Sequence, residues 1–116
     1  MRNKPAESEL AELCEIPMAE DSPLEERVIY MHFFLGNSDW YVAGYDPQKR
    51  MFFGYFIPNN DYAKAGWGRF SLDTLDKLRL DPDLEVVRNL DWKPKKAMDV
   101  DRIRDAYGWM KGTDSN

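Results

Sequence analysis

Cys14 and His32 are the only cysteine and the only histidine of the chain, so thiol–imidazole chemistry would have to join these two side chains. Cys14 stands among glutamates, whose negative charge disfavours the reactive thiolate. His32 lies in an aromatic-rich run and is better explained as a packed residue. One cysteine excludes a disulfide within the chain, and one Cys with one His cannot complete a zinc site. We therefore predict no catalytic residue and favour a non-enzymatic protein.

Carboxylate and amide side chains in the predicted loops are the next candidates for chemistry. They are Asp39, Asp46, Asn59, Asn60 and Asp61. Such oxygen ligands suit Mg²⁺, and paired carboxylates suit acid–base work. The same residue types are ordinary in turns, because their side chains bond to nearby backbone groups, and we favour that interpretation. Since no phosphate-binding glycine motif is present either, we predict neither a metal nor a cofactor.

Aromatic side chains are the most unusual feature of the sequence. Ten of them crowd residues 40–70: Trp40, Tyr41, Tyr45, Phe52, Phe53, Tyr55, Phe56, Tyr62, Trp67 and Phe70. Neighbouring residues of a strand point to opposite faces, so one face can fill the core while the other needs a cover. The N-terminal segment or a homodimer would provide that cover, and otherwise the face is a binding surface. The candidate binding residues are Trp40, Tyr41, Tyr55 and Trp67, with Asp46 and Asp61 beside them.

The net charge of −5 comes from the N-terminal segment, where residues 1–26 hold eight acidic and two basic side chains. This distribution argues against direct nucleic-acid binding, which needs a basic face. A solvated segment is the simplest explanation. The sharper one is an acidic arm that meets a basic partner or imitates phosphate. Its candidate residues are Glu7, Glu9, Glu12 and Glu15.

The pattern of apolar residues predicts an α+β fold. Predicted strands cover residues 27–35, 40–45, 51–57, 67–70 and 84–88. Predicted helices lie near residues 72–80, capped by Ser71, and 99–108, capped by Asp99, with a shorter one over 6–13. Short connections favour an antiparallel meander of four to five strands, with two short helices packed on it. Gly44 and Gly54 fall within strands, where glycine often marks a bulge or a close approach.

The domain organisation follows from the same pattern. Residues 1–24 form an acidic, partly ordered arm, residues 25–110 a single α+β domain, and residues 111–116 a frayed tail. No apolar run approaches the roughly 20 residues of a membrane span, and no signal peptide opens the chain. We therefore expect a cytoplasmic protein that does not contact a membrane.

An ordered series of motifs is similar to a bacterial family known only as a domain of unknown function. The motifs are Ile16-Pro17, Val28-Ile-Tyr-Met-His-Phe-Phe-Leu35, Asp39-Trp-Tyr-Val-Ala43, Tyr45-Asp46, Phe52-Phe-Gly-Tyr55, Asn60-Asp61, Gly66-Trp-Gly68, Phe70-Ser-Leu72 and Asp91-Trp-Lys-Pro94. Members of that family are common on plasmids, conjugative elements and phages. The resemblance covers about residues 13–104 and implies a genetic context, not an activity. This chain departs from it near Gly44, at Asp46-Pro-Gln-Lys49 and at Arg69.

These observations favour a small accessory protein of a mobile element or phage that acts by binding a host or mobile-element protein. One concrete version is an acidic inhibitor of a host defence complex that processes nucleic acid. A second hypothesis is a small-ligand or nucleotide-binding module, even a minimal hydrolase, with a pocket between Trp40, Tyr55 and Trp67 and polar groups from Asp46 and Asp61. A structural homodimer is the third.

Overall fold

The computed structural model describes residues 1–14 and 23–108, which form an antiparallel sheet with helices on both faces. The strands are β1 (Val28–Ile29), β2 (Met31–Leu35), β3 (Ser38–Asp46), β4 (Met51–Ile57), β5 (Gly66–Ser71), β6 (Arg79–Asp81), β7 (Leu84–Glu85), β8 (Val87–Arg88) and β9 (Lys95–Lys96). The helices are α1 (Glu7–Cys14), α2 (Leu72–Lys77) and α3 (Asp101–Tyr107). The α+β class predicted from the sequence is confirmed.

The main sheet has the order β5-β4-β3-β2-β8, with every neighbouring pair antiparallel. Strands β2 to β5 follow one another as the predicted meander, in which short turns join β2 to β3 and β3 to β4, and a longer connection over residues 58–65 joins β4 to β5. Two smaller pairs, β1 with β9 and β6 with β7, stand beside this sheet.

Four predicted elements differ clearly in their bounds. The single strand predicted over residues 84–88 is divided at Val86, so that β7 pairs with β6 and β8 pairs with β2. The run 27–35 is interrupted at Tyr30: β1 pairs with β9, whereas β2 pairs with β3 and β8 in the main sheet. The Tyr30 N–H donates to the Val42 carbonyl at 2.7 Å. Helix α2 ends at Lys77, because the next residues form the β6–β7 hairpin. The cap predicted at Asp99 is wrong: α3 begins at Asp101, after a short 3-10 turn.

Glycines in the strands mark irregular backbone, as predicted. The register between β3 and β4 shifts between Val42 and Gly44, which is a β-bulge. A Cβ placed on Gly54 would lie 1.8 Å from the Tyr41 carbonyl oxygen, so only glycine fits there.

Each face of the sheet carries its own apolar core. The first core lies under α1 and α2 and contains Leu10, Leu13, Met31, Phe33, Leu35, Trp40, Val42, Tyr45, Phe52, Leu72, Leu75 and Val86. The second lies under α3 and contains Ile29, Tyr41, Tyr55, Ile57, Ala97, Val100 and Ile103. The central strands are therefore covered on both faces.

The N-terminal residues close one edge of the sheet. Arg2 donates its N–H to the Val86 carbonyl at 2.8 Å and accepts from the Arg88 N–H at 3.0 Å, in parallel alignment with β8. The terminal ammonium group of Met1 lies 3.3 Å from Asp76 and 3.2 Å from Glu85. These contacts and the burial of Leu10 hold α1 against the sheet. Residues 15–22 and the predicted tail lie outside the described residues.

Among the described residues, none of the helices has the length and apolar character that a bilayer crossing requires.

Candidate binding edge at strand β5

In the part of the chain that the structure describes, strand β5 leaves one edge of the main sheet open. Within residues 1–14 and 23–108 it pairs with β4 alone, whereas the opposite edge, at β8, is covered by Arg2. Unpaired backbone groups on an exposed edge are a template for another strand, and proteins usually block them with proline, inward-pointing charge or a covering segment. The sequence of β5, Gly-Trp-Gly-Arg-Phe-Ser, contains no proline.

The direction of the backbone groups in β5 follows from its register with β4. Leu72 donates its N–H to the Arg50 carbonyl at 3.0 Å, one step beyond the Met51–Ser71 pair. Hydrogen-bonded residues alternate along an antiparallel strand, so Gly66, Gly68 and Phe70 point their backbone groups toward β4. The N–H and C=O groups of Trp67 and Arg69 therefore point toward the open edge.

A groove of about 250 Å³ runs along this edge. It is lined by Phe56, Lys64, Gly66, Trp67, Gly68, Arg69 and Phe70. A Cβ on Gly66 or Gly68 would meet no atom within 4 Å, so the two glycines leave the floor of the groove empty. Phe56 stacks on Trp40 with ring centres 5.1 Å apart, and Phe70 packs on Phe52 at 5.8 Å. The groove thus has aromatic walls, and Lys64 and Arg69 are among the residues that line it.

Trp67 lies on the face of β5 opposite to Phe70. Its ring stacks on Phe53 at 5.8 Å and meets Tyr55 edge-on at 5.3 Å. The Arg27 guanidinium lies 5.0 Å from the centre of the Phe53 ring, so this face combines aromatic rings with a cation. The buried indole Nε1 of Trp67 has no hydrogen-bond partner in the part of the chain that the structure describes.

The structure separates one of the four predicted aromatic binding residues from the other three. Trp40 lies in the first core, whereas Tyr41, Tyr55 and Trp67 lie on the opposite face. Trp40, Tyr41 and Tyr55 are all buried, and burial raises the pKa of the Tyr41 and Tyr55 phenols. Neither phenol is therefore available as a base near neutral pH. Of the four, only Trp67 lines the groove.

Asp46 and Asp61 act as turn residues. An Asp46 carboxylate oxygen accepts the Gln48 N–H at 3.0 Å, and Asp61 accepts the Ala63 N–H at 3.0 Å. Neither residue lines the groove. Across the described residues, no group of three or more His, Cys, Asp or Glu side chains is arranged to hold a metal ion.

The acidic candidates of the N-terminal segment have different environments. Both carboxylate oxygens of Glu9 accept from the Arg88 guanidinium, at 2.9 and 2.5 Å, and this bonding lowers the pKa of Glu9 from 4.5 to about 2. Glu7 and Glu12 are exposed on α1. Glu15 lies outside the described residues. Glu9 therefore has a structural partner, and Glu7 and Glu12 face solvent.

A polar cluster around His32 brings together residues that no sequence motif links. His32 Nε2 lies 2.8 Å from Asp39 Oδ1, and its Nδ1 lies 3.3 Å from the Asn89 side-chain nitrogen. The second Asp39 oxygen contacts Arg102 at 3.1 Å. With the Asn89 amide assigned as donor to Nδ1, Nε2 carries the proton that bonds to Asp39. Both ring nitrogens are thus occupied, which favours a structural role that ties β2 and β3 to α3.

The open edge at β5 was not predicted from the sequence, although one pattern in the sequence is consistent with it. Glycine at every second position of Gly66-Trp-Gly68 places both glycines on one face of a strand, beside Phe70. This pattern indicates a shallow floor next to an aromatic wall. It does not reveal which side of β5 lacks a neighbour, because that depends on pairings between distant segments.

Comparisons with protein-family models, with curated proteins and with solved structures found no match to this chain.

Proposed function

We propose that this chain is a non-enzymatic binding module that takes a strand of a partner protein onto the open edge of β5. The observation that carries the proposal is the pair of outward-facing peptide groups at Trp67 and Arg69, beside a groove floored by Gly66 and Gly68. In the genetic context that the resemblance implies, the partner is a host or mobile-element protein.

Strand addition explains why these features occur together. In this binding mode the main-chain hydrogen bonds supply affinity, and pockets for alternate side chains supply specificity. The groove is such a pocket, because the glycines leave room for a large apolar side chain from the added strand. Lys64 in the groove lining favours an acidic residue next to that side chain.

Two substitutions at one position test the proposal. Arg69→Ala removes the cation and keeps the outward N–H, whereas Arg69→Pro also removes the N–H and leaves the bonds to β4 intact, as proline on an edge strand can. Tagged wild-type protein and both variants are incubated with bacterial lysate, and captured proteins are quantified by mass spectrometry. We expect a stoichiometric partner that Arg69→Ala retains in part and Arg69→Pro loses at least tenfold. Equal capture by Arg69→Pro and Arg69→Ala would contradict the proposal.

The acidic-inhibitor version is tested in the same experiment. Its support is that Glu7 and Glu12 are exposed on a helix held in place by the buried Leu10 and Leu13. Capture that is lost in the double variant Glu7→Lys/Glu12→Lys, and unaffected by Arg69→Pro, assigns binding to α1 instead of β5. A wash at high salt separates the two surfaces further, because exposed charge pairs are screened.

A small-ligand function is the second candidate, and the groove is the observation that favours it. Aromatic walls with Lys64 beside them suit a planar anion such as a nucleotide. Thermal-shift measurements with nucleotides test this function. Stabilisation that disappears in Gly68→Leu, which fills the groove, would favour the ligand over a protein strand.

A further inference from the structure

We propose that a second copy of this chain pairs with β5 edge to edge, in the antiparallel register that places Gly68 opposite Gly68 of the second copy. The inference rests on the proposed function, since it names one partner for the same edge. A two-fold axis between the two glycines would join the sheets of both copies into one continuous sheet.

The backbone groups of β5 fit this register. With Gly68 opposite itself, Trp67 of each copy stands opposite Arg69 of the other. Both residues point their N–H and C=O groups toward the open edge. Each Trp67–Arg69 pair exchanges two hydrogen bonds, so the contact forms four without any change in the β4–β5 pairing.

The side chains on the Trp67 face are also complementary. Directly opposite side chains of an antiparallel pair are neighbours, so the Arg69 guanidinium of one copy meets the Trp67 ring of the other. This is a cation–π contact, and the symmetry makes it twice. The exposed Arg69 gains a partner, and Trp67 gains a cover on its outer side.

On the opposite face, Phe70 of each copy stands opposite Gly66 of the other. The space above Gly66 and Gly68 is empty, and an aromatic ring from a neighbouring strand is a known way of covering a glycine in a sheet. Phe70 of the second copy therefore fills the groove that the first copy leaves open. The groove and the Phe70 side chain that fills it belong to the same strand. The edge is therefore self-complementary, as a two-fold interface requires.

Neighbouring registers fit less well. Centring the axis on Arg69 places two guanidinium groups directly opposite each other, which is destabilising. Centring it on Trp67 or Phe70 shortens the overlap of the two strands within Gly66–Ser71 to three residues, compared with five when Gly68 is central. The register centred on Gly68 is thus the one that combines full overlap with complementary side chains.

A charge-swap experiment tests the register. Gly68→Glu and Gly68→Lys each place like charges opposite each other in the dimer, and the monomer tolerates both because no atom lies within 4 Å of a Cβ at Gly68. Sedimentation equilibrium over a range of concentrations reports the mass relative to the 13.6 kDa monomer. We expect the wild type to approach twice that mass. Each variant alone should need at least tenfold more protein to associate than the wild type, and an equimolar mixture of the two should associate more strongly than either variant alone.

Two results would overturn the inference. The first is a wild type that stays monomeric at the highest soluble concentration. The second is association of both variants alone as strongly as the wild type, with no gain on mixing. A monomeric wild type that still captures a partner, with loss on Arg69→Pro, refutes the dimer and leaves the proposed function standing. Capture that is insensitive to Arg69→Pro refutes the proposed function, whatever the mass measurement gives.

Discussion

Replacement of Gly54 by alanine should destabilise the fold severely, because Gly54 lies directly against the backbone of β3 beside its bulge. A Cβ at Gly54 would lie 1.8 Å from the Tyr41 carbonyl oxygen, 1.2 Å inside the 3.0 Å limit of real contacts. The oxygen belongs to the backbone of a central strand and cannot rotate away, so β3 and β4 must separate between two packed cores. Overpacking of this kind costs about 1–3 kcal/mol and occasionally more, and the rigid backbone places Gly54→Ala at the upper end, near 3 kcal/mol.

Urea unfolding measures this loss, with Gly68→Ala as the matched control. At an m-value of about 2 kcal/mol/M, a loss of about 3 kcal/mol lowers the unfolding midpoint by about 1.5 M. Gly68→Ala makes the same chemical change in the neighbouring strand, where no atom lies within 4 Å of the new Cβ. Its free energy of unfolding should stay the same or rise by about 0.5 kcal/mol. Equal stability of the two variants would refute the reasoning about the bulge and the open groove together.

Three further predictions concern α1 and the edge strand, and urea unfolding checks each. Leu10→Ala should lower the free energy of unfolding by about 2–4 kcal/mol, since Leu10 is 2% exposed in the first core; a loss below 1 kcal/mol would show that α1 does not pack there. Glu9→Gln should cost under about 1 kcal/mol, because solvent screens its partly exposed pair with Arg88. The pKa of Glu9 is lowered to about 2 in the folded state, so this contribution is present above pH 4.5 and is lost as the pH falls toward 2; a pH-independent difference between wild type and variant would contradict it. Trp67→Phe should change stability by less than about 1 kcal/mol, because the indole N–H it removes has no partner within the described residues, and a loss above 2 kcal/mol would reveal one.

Local sequence signals were sufficient for most of the fold. Alternation of large apolar residues placed β2, β3 and β4, and turn residues between them fixed their antiparallel order. Ser71 was recognised as a cap, and its hydroxyl accepts the Thr74 N–H at 3.1 Å. Gly44 and Gly54 marked the bulge and the close approach. Each of these features depends on residues that are near in sequence or in adjacent strands.

The candidate site depends on contacts that no local pattern reveals. The edge at β8 is closed by Arg2, more than eighty residues away in the chain, and only that pairing leaves β5 as the open side. Trp40 and Tyr55 looked like members of one pocket, yet the register pairs Tyr41 with Tyr55 and sends Trp40 to the other face. Asp39 looked like a loop carboxylate, but it bonds to His32 and to Arg102 from a distant helix.

Amide hydrogen exchange, measured by NMR on ¹⁵N-labelled protein, tests the central claim most directly. In the dilute protein alone, the amides of Gly68 and Phe70 should be protected by β4, while those of Trp67 and Arg69 exchange fast. In the complex recovered from the capture experiment, the Trp67 and Arg69 amides should become protected by at least tenfold, because the added strand accepts their hydrogen bonds. A complex in which these two amides exchange as fast as in the free protein would contradict strand addition at β5.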